Sequence, residues 1–339
     1  VALLIENRPN PILAPLMLHF MSVVPPEWRF RFMGSPASLA LVNSSSAIRA
    51  AVSIGKLDLT PIPENMTTNS QEEISRFLTT LWLYETLLQP AEHLLVYQTD
   101  SMLCANSQQS INAWLDYDWV GAPWNPNGKW GGNGGLSLRR VSAIIDVLRN
   151  QVRAFQGGPE DVWLAERLAS RPGARMANGT ASLTFSGEMH GGEKVHVAGA
   201  GKIPESEREK RPAGGGIDSD ATAAEALDVD LWRDGYYEPM GYHTGDNGNT
   251  MHGGIWGTPE MRKHIWDYCP EVKMIFNMDA AEFVPGNCNT NWKRGLEGMG
   301  FGEMEERAEG EETGLGKRWD PNDVDEDGYP YLPEGLMAW

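Results

Sequence analysis

The first half of the chain alternates short apolar runs with stretches of helical period, and this alternation narrows the possible folds more than any other feature. Val1 to Ile5 reads as a buried strand, and Ile12 to Val24 as an apolar helix stopped by Pro25-Pro26. Arg29 to Gly34 alternates as a strand does, residues 37–53 follow as helix, and Leu57 to Pro63 ends the next step. Ser70-Gln71-Glu72-Glu73 has the spacing of a capping box, where a hydroxyl and a carboxylate satisfy free N–H groups at a helix start. Behind it Ile74, Phe77, Leu78, Leu81, Tyr84 and Leu88 recur at helical intervals. A fourth strand is expected over His93–Cys104 and another in Tyr117–Trp124. A further helix follows Val141, Ile144, Ile145, Leu148 and Val152. Such alternation builds an α/β sheet covered by helices, with a ligand crevice at the carboxyl ends of its strands.

Charge and cysteine usage exclude several classes. Half of the net charge of −18 sits in residues 301–339, which hold twelve acidic and three basic side chains. The body is only mildly acidic and has no basic stripe, so no nucleic-acid partner is expected. No apolar run reaches the roughly 20 residues that span a bilayer. The chain is already strand-like at residue one, and it reads as the trimmed remainder of a longer one from which a signal or anchor has room to have been removed. Cys104, Cys269 and Cys288 make no disulfide framework and no metal-binding pair. At most one bridge is expected, with Cys269–Cys288 as the pairing. Sequons at Asn43, Asn65 and Asn178 tilt the reading toward a secreted or luminal protein.

The pattern divides the chain unevenly. Residues 1–186 read as the core. Gly, Glu, Lys, Ala and Pro dominate 187–229, with too few large apolar residues to order the segment, so it reads as a mobile insertion. Residues 230–300 return to the same domain, with a helix begun by Thr258-Pro259-Glu260. Residues 301–339 form an acidic, solvated tail.

Five stretches could carry chemistry. Gln98-Thr99-Asp100-Ser101 places a carboxylate at a strand's carboxyl end, which suits a hard divalent cation open to phosphate oxygens. It suits equally a capping Asp in a turn. Trp130 to Arg140, WGGNGGLSLRR, sets four glycines around Asn133 before a helix, as a ligand-facing loop or a tight turn requires. Trp124 and Trp130 beside it could stack on a sugar or simply pack. In GGPEDVW, Pro159 fits the first helical position, and Glu160 and Asp161 favour the helix dipole by about 0.3–1 kcal/mol each. As a functional pair they would supply a general base. His243 and His252 lie in a glycine-rich loop without zinc spacing. In the tail Asp323, Asp325, Asp327, Gly328 and Glu334 match a calcium-loop pattern, while Pro330 and Pro333 oppose its exit helix.

Taken in order, ALLIENR, QTDSMLC, DYDWVGAPW, GGNGGLSLRR and EDVW resemble an uncharacterised, largely fungal family related to GT-A-fold glycosyltransferases, and PMGYH extends the likeness. The resemblance implies a single GT-A-like (Rossmann-like) domain with a mixed, mostly parallel sheet flanked by helices. It implies a transferase that uses a nucleotide-sugar donor, a UDP-sugar foremost, and a glycan or glycoconjugate acceptor. Asp100 and His243 would hold Mn²⁺ or Mg²⁺, with Gln98 where the family's first Asp stands. Glu6, Arg8, Gln98, Thr99 and Ser101 would face the donor, and Trp124, Trp130, Asn133, Gly134 and Gly135 the acceptor. Asp161 would be the base of an inverting displacement, with Glu160 its neighbour. A Golgi-luminal or secreted location follows from the same likeness. Two other classes stay open: a carbohydrate-binding protein on a transferase fold without turnover, favoured by Gln98, and an extracellular calcium binder acting through the tail.

Overall fold

The structure, a computed structural model, describes residues 1–191, 232–233, 236–249, 251–276 and 337–338. The elements follow the predicted alternation: β1 (Ala2–Glu6), α1 (Leu13–Val23), β2 (Phe30–Gly34), α2 (Pro36–Ser44), α3 (Ser46–Ser53), β3 (Leu57–Pro61), α4 (Gln71–Leu78) and β4 (His93–Tyr97). After these come β5 (Ser101–Leu103), β6 (Trp119–Gly121), β7 (Leu136–Arg140), α5 (Val141–Asn150), α6 (Glu160–Ala169), α7 (Gly179–Phe185) and β8 (Ser186–Gly187). Two short strands, β9 (Trp232–Arg233) and β10 (Tyr236–Tyr237), precede β11 (Gly241–His243) and a helix over Pro259–Tyr268.

Six strands form the main sheet in the order β3-β2-β1-β4-β7-β6. The pairs β1–β2, β2–β3 and β1–β4 are parallel, while β7 runs antiparallel to both β4 and β6. The mixed, mostly parallel α/β sheet flanked by helices is therefore as expected. Its two faces are buried by strand alternation. Ala2, Leu4, Leu95 and Tyr97 enter one core with Phe20 of α1, and Leu3, Leu94 and Val96 enter the other with Ile144 and Trp163. The capping box also forms, with Ser70 Oγ accepting the Glu73 N–H at 3.3 Å.

Several local expectations are corrected. The helix read over 37–53 is two, because Ser45 ends α2 and caps α3 through the Ile48 N–H. The stripe from Ile74 to Leu88 breaks at Thr79, and a separate π-helical turn covers Leu83–Leu87. The strand expected over His93–Cys104 is two strands in different sheets. β4 stops at Tyr97, the chain turns through Gln98–Ser101, and β5 joins a second sheet of order β5-β11-β8. GLSLRR, read as loop leading to helix, is the strand β7, whose alternation is masked by a buried Arg139 on its second face.

The disulfide is Cys104–Cys269 and not Cys269–Cys288. β5 ends against the carboxyl end of the Pro259–Tyr268 helix, so residues 165 positions apart meet. Cys288, the residues 192–229 of the expected insertion, and the calcium-loop positions of the tail lie outside the described residues. Among the described residues no helix is long and apolar enough to cross a membrane.

Candidate active site

A cleft of about 540 Å³ opens at the carboxyl ends of β1 and β4, and its walls include Arg8, Gln98, Asp100, Gly134, Asp161 and Asn247. Parallel strands converge their loops at this end, which is where open α/β sheets hold ligands.

On one side stands Asp100, buried in the turn between β4 and β5. Strand β11 runs antiparallel to β5 with His243 opposite Ser101, so the imidazole arrives beside the Asp100 carboxylate. His243 Nε2 lies 3.3 Å from Asp100 Oδ1. The contact is an ion pair without hydrogen-bond geometry, and Nε2 is buried with no hydrogen bond of its own. The other oxygen, Oδ2, accepts the Asn247 N–H at 3.0 Å. Burial alone would raise the Asp100 carboxyl, but the His243 charge and these contacts outweigh it and hold it below the usual carboxylate value. Burial lowers the imidazole, and the two carboxylates beside it reverse that effect and push it up to about 10. His243 Nδ1 pairs with Glu188 Oε1 at 3.0 Å.

On the other side, α6 begins with Glu160 and Asp161 pointing inward, both buried. Glu160 is neutralised by Arg139 at 2.7 Å, and the Arg139 guanidinium lies over the Trp119 ring at 4.3 Å. The register explains this contact, because Trp119 and Arg139 are paired across β6 and β7. Asp161 has no cation of its own. Its Oδ2 accepts the Gly134 N–H at 2.9 Å, and its Oδ1 accepts the Val162 N–H at 2.8 Å. Burial, and then the neighbouring Glu160 charge, push its carboxyl up to about 6.

The glycine loop joins the two sides. A Cβ on Gly134 would meet Glu160 Oε1 at 2.7 Å and Arg139 at 2.8 Å, and one on Gly135 would meet His243 Nε2 at 2.2 Å. Two consecutive glycines thus let the backbone pass between the two charged centres. Asn133 fixes the approach by accepting the Gly135 N–H at 2.6 Å and donating to Glu188 at 3.1 Å.

The remaining sequence candidates are distributed as follows. Glu6 is buried, and both of its oxygens hold the Arg8 guanidinium, at 3.0 and 2.7 Å, so that Arg8 is presented at the cleft. Gln98 lines the cleft, whereas Thr99 is half-buried outside its lining. Ser101 is fully buried, accepting the Gln98 N–H and donating to the Gly135 carbonyl at 2.8 Å, so it bolts the turn to the glycine loop. Trp124 packs under Gly131 and Trp130 is exposed, and neither lines the cleft. His252 likewise stays out of its lining.

Four site residues carry no sequence pattern that singles them out. Arg139 sits in a strand read as loop. Glu188 opens the segment read as insertion, yet Gly187 lies in β8 and Glu188 is buried against His243. Asp246 and Asn247 reach the cleft from a loop with left-handed backbone, φ 45° and 52°. Non-glycine residues held in that region store strain of the kind found at functional sites. The run Gly-Asp-Asn-Gly is the only signal that could have marked them.

Asp100 and His243 have the donor chemistry for a divalent cation. Among the described residues no cluster of three or more such side chains converges. Two donors 3.3 Å apart are close to the roughly 3 Å that separates adjacent ligands about 2.1 Å from one ion. An oxygen and a nitrogen with other positions open suit Mg²⁺ or Mn²⁺, which keep water and phosphate as further ligands.

A family described as a protein of unknown function (DUF5672) matches residues 56–202. No match is found among curated proteins. Among solved structures, the chain is similar to an active-site mutant of LgtC, at 12% identity and a TM-score of 0.35, over 72% of this chain and 87% of that one. It is also similar to the apo structure of WbbM, a bifunctional glycosyltransferase, at 9% identity and a TM-score of 0.37. That match covers 83% of this chain and 50% of the other.

Proposed function

We propose that the protein is a divalent-cation-dependent glycosyltransferase, moving a sugar from a nucleoside-diphosphate donor, a UDP-sugar foremost, to a hydroxyl of a glycan or glycoconjugate. One observation carries the reading. A carboxylate–imidazole pair suited to a cation and a carboxylate with raised proton affinity flank one Gly134-Gly135 step at the carboxyl end of a parallel sheet.

Asp100 and His243 would hold Mn²⁺ or Mg²⁺, which supplies Lewis-acid stabilisation to a leaving diphosphate when bound. Arg8, braced by Glu6, offers a guanidinium to phosphate oxygens, and Gln98 offers an amide to the ribose. Asp161 receives the proton of the acceptor hydroxyl, a task suited to a carboxylate pushed up to about 6 and working near neutral pH. As the proton leaves, the hydroxyl oxygen bonds to the anomeric carbon. The bond from that carbon to the diphosphate oxygen breaks, and its electron pair leaves with the diphosphate. Attack from the face opposite the leaving group inverts the anomeric centre. The Cys104–Cys269 bridge supports an oxidising compartment such as the Golgi lumen or the exterior.

The test is a donor-hydrolysis and thermal-shift screen across nucleotide sugars, with Mn²⁺ or with EDTA. Hydrolysis of one donor and stabilisation by its nucleoside diphosphate, both only with metal, are expected. Stabilisation by glycans alone, with no donor hydrolysed, would replace the enzyme with a carbohydrate-binding protein.

A further inference from the structure

We propose, resting on the reading above, that Glu188 is a positioning residue of the cation site. It holds the His243 ring so that Nε2 faces Asp100, and through Asn133 it couples that ligand to the glycine loop. The placement follows from the small sheet. β8 pairs in parallel with β11, Gly187 opposite Tyr242, so the residues that follow this pair are Glu188, just past the end of β8, and His243. Glu188 is only 8% exposed, so its charge has been taken out of water for a reason that must lie in its partners.

Both partners belong to the site. One oxygen, Oε1, pairs with His243 Nδ1 at 3.0 Å and accepts from Asn133 Nδ2 at 3.1 Å. An imidazole whose Nδ1 is bound to a carboxylate has its ring orientation fixed and its other nitrogen directed elsewhere, the arrangement that orients histidine ligands in metal centres. Here that nitrogen is buried, makes no hydrogen bond, and lies 3.3 Å from Asp100 Oδ1. Asn133 in turn accepts the Gly135 N–H at 2.6 Å, and Gly135 packs on the same imidazole edge. Glu188, His243, Asn133 and Gly135 therefore close a ring of contacts. A shift of Glu188 would release the ligand's ring and the loop together.

The test is calorimetric titration of the whole chain with MnCl₂ alone, with each unfolding temperature measured beside it. Wild type should take up Mn²⁺ saturably and Asp100→Ala should not. Glu188→Ala should weaken uptake by roughly 10–100-fold, the usual cost of losing a carboxylate behind a histidine ligand. Glu188→Gln keeps the volume and one acceptor oxygen, so it should lose less than the alanine variant. It decides the matter if Glu188→Ala does not fold. Uptake equal to wild type, or reduced only in proportion to the lost folded fraction, by Glu188→Ala, or by Glu188→Gln where the alanine variant does not fold, overturns the role of Glu188 and leaves the cation reading standing. Absence of Mn²⁺ uptake by wild type overturns both.

Discussion

Asp100 and Asp161 are buried carboxylates on opposite sides of one glycine pair, and the surroundings drive them in opposite directions. Asp100 meets an imidazole, and it stays ionised although burial opposes it. Asp161 accepts only backbone N–H groups and lies beside a like-charged neighbour, and burial with that neighbour outweighs the more distant Arg139 charge and pushes it up to about 6. The contrast shows that burial alone does not assign a carboxylate its task. The sign of the nearest charge does, suiting one group to a cation and the other to a proton.

The sharpest way to break this comparison is to replace each with asparagine. Asp161→Asn should lower turnover by about 10²–10⁴-fold, the range for a lost general base, with donor binding retained. Turnover near wild type would remove Asp161 from the proton transfer. The stabilities should move apart as well. A carboxyl raised to about 6 when folded, against roughly 4 unfolded, stabilises fully below pH 4 and loses that contribution as pH rises through 6. Asp161→Asn is therefore expected to be more stable than wild type at pH 7 by about 1–2 kcal/mol, after allowing about 1 kcal/mol for a weakened backbone contact. The lowered Asp100 carboxyl has the opposite sign, with stability present above the unfolded value and lost as pH falls through the folded one. Asp100→Asn should cost about 3 kcal/mol at pH 7 by leaving His243 short of a partner. Urea melts from pH 4 to 8 would read both signs.

The comparison sharpens at the Asp161 side through the pair beneath it. Arg139→Met leaves Glu160 buried without its cation and should destabilise by about 3–5 kcal/mol in a urea melt, while a second change, Glu160→Leu, should recover most of the loss. The smallest effect on the rate profile is expected from Glu160→Gln, although leaving Arg139 without its anion costs stability as Arg139→Met does. Removing the second cause of the raised Asp161 value should move the rising acid limb of the pH–rate profile to lower pH. An unmoved limb would mean that Asp161 is not the group titrating.

Much of the fold was legible in the chain, and the site less so. Strands β1 and β4 read from their apolar runs, β2 from its alternation, and α4 from its capping box. β7 was hidden because Arg139 occupies a core position, a placement that makes sense only once Trp119 and Glu160 are beside it. The Cys104 partner was illegible for the same reason, since β5 had been read as part of β4. Asp100, Asp161 and the glycine loop stood out as candidates because turn chemistry and helix-start chemistry are local, whereas His243 was singled out as a ligand only through the resemblance. Glu188 and Asn247 were not, because a carboxylate at the head of a Gly-Glu-Lys segment and an amide in a loop look solvated until another strand is set against them.

By itself, the sequence determined the βα alternation of the first half, the glycine step and the residues able to carry charge there, because these depend on periodicity and on contacts a few residues apart. Only the tertiary structure decided which charge meets which. Strand pairing set His243 beside Asp100, Glu188 behind His243 and Arg139 under Glu160, and so left Asp161 without a cation. Electrostatic fate depends on neighbours within a few ångströms, and for these residues nearly all of those neighbours come from distant parts of the chain.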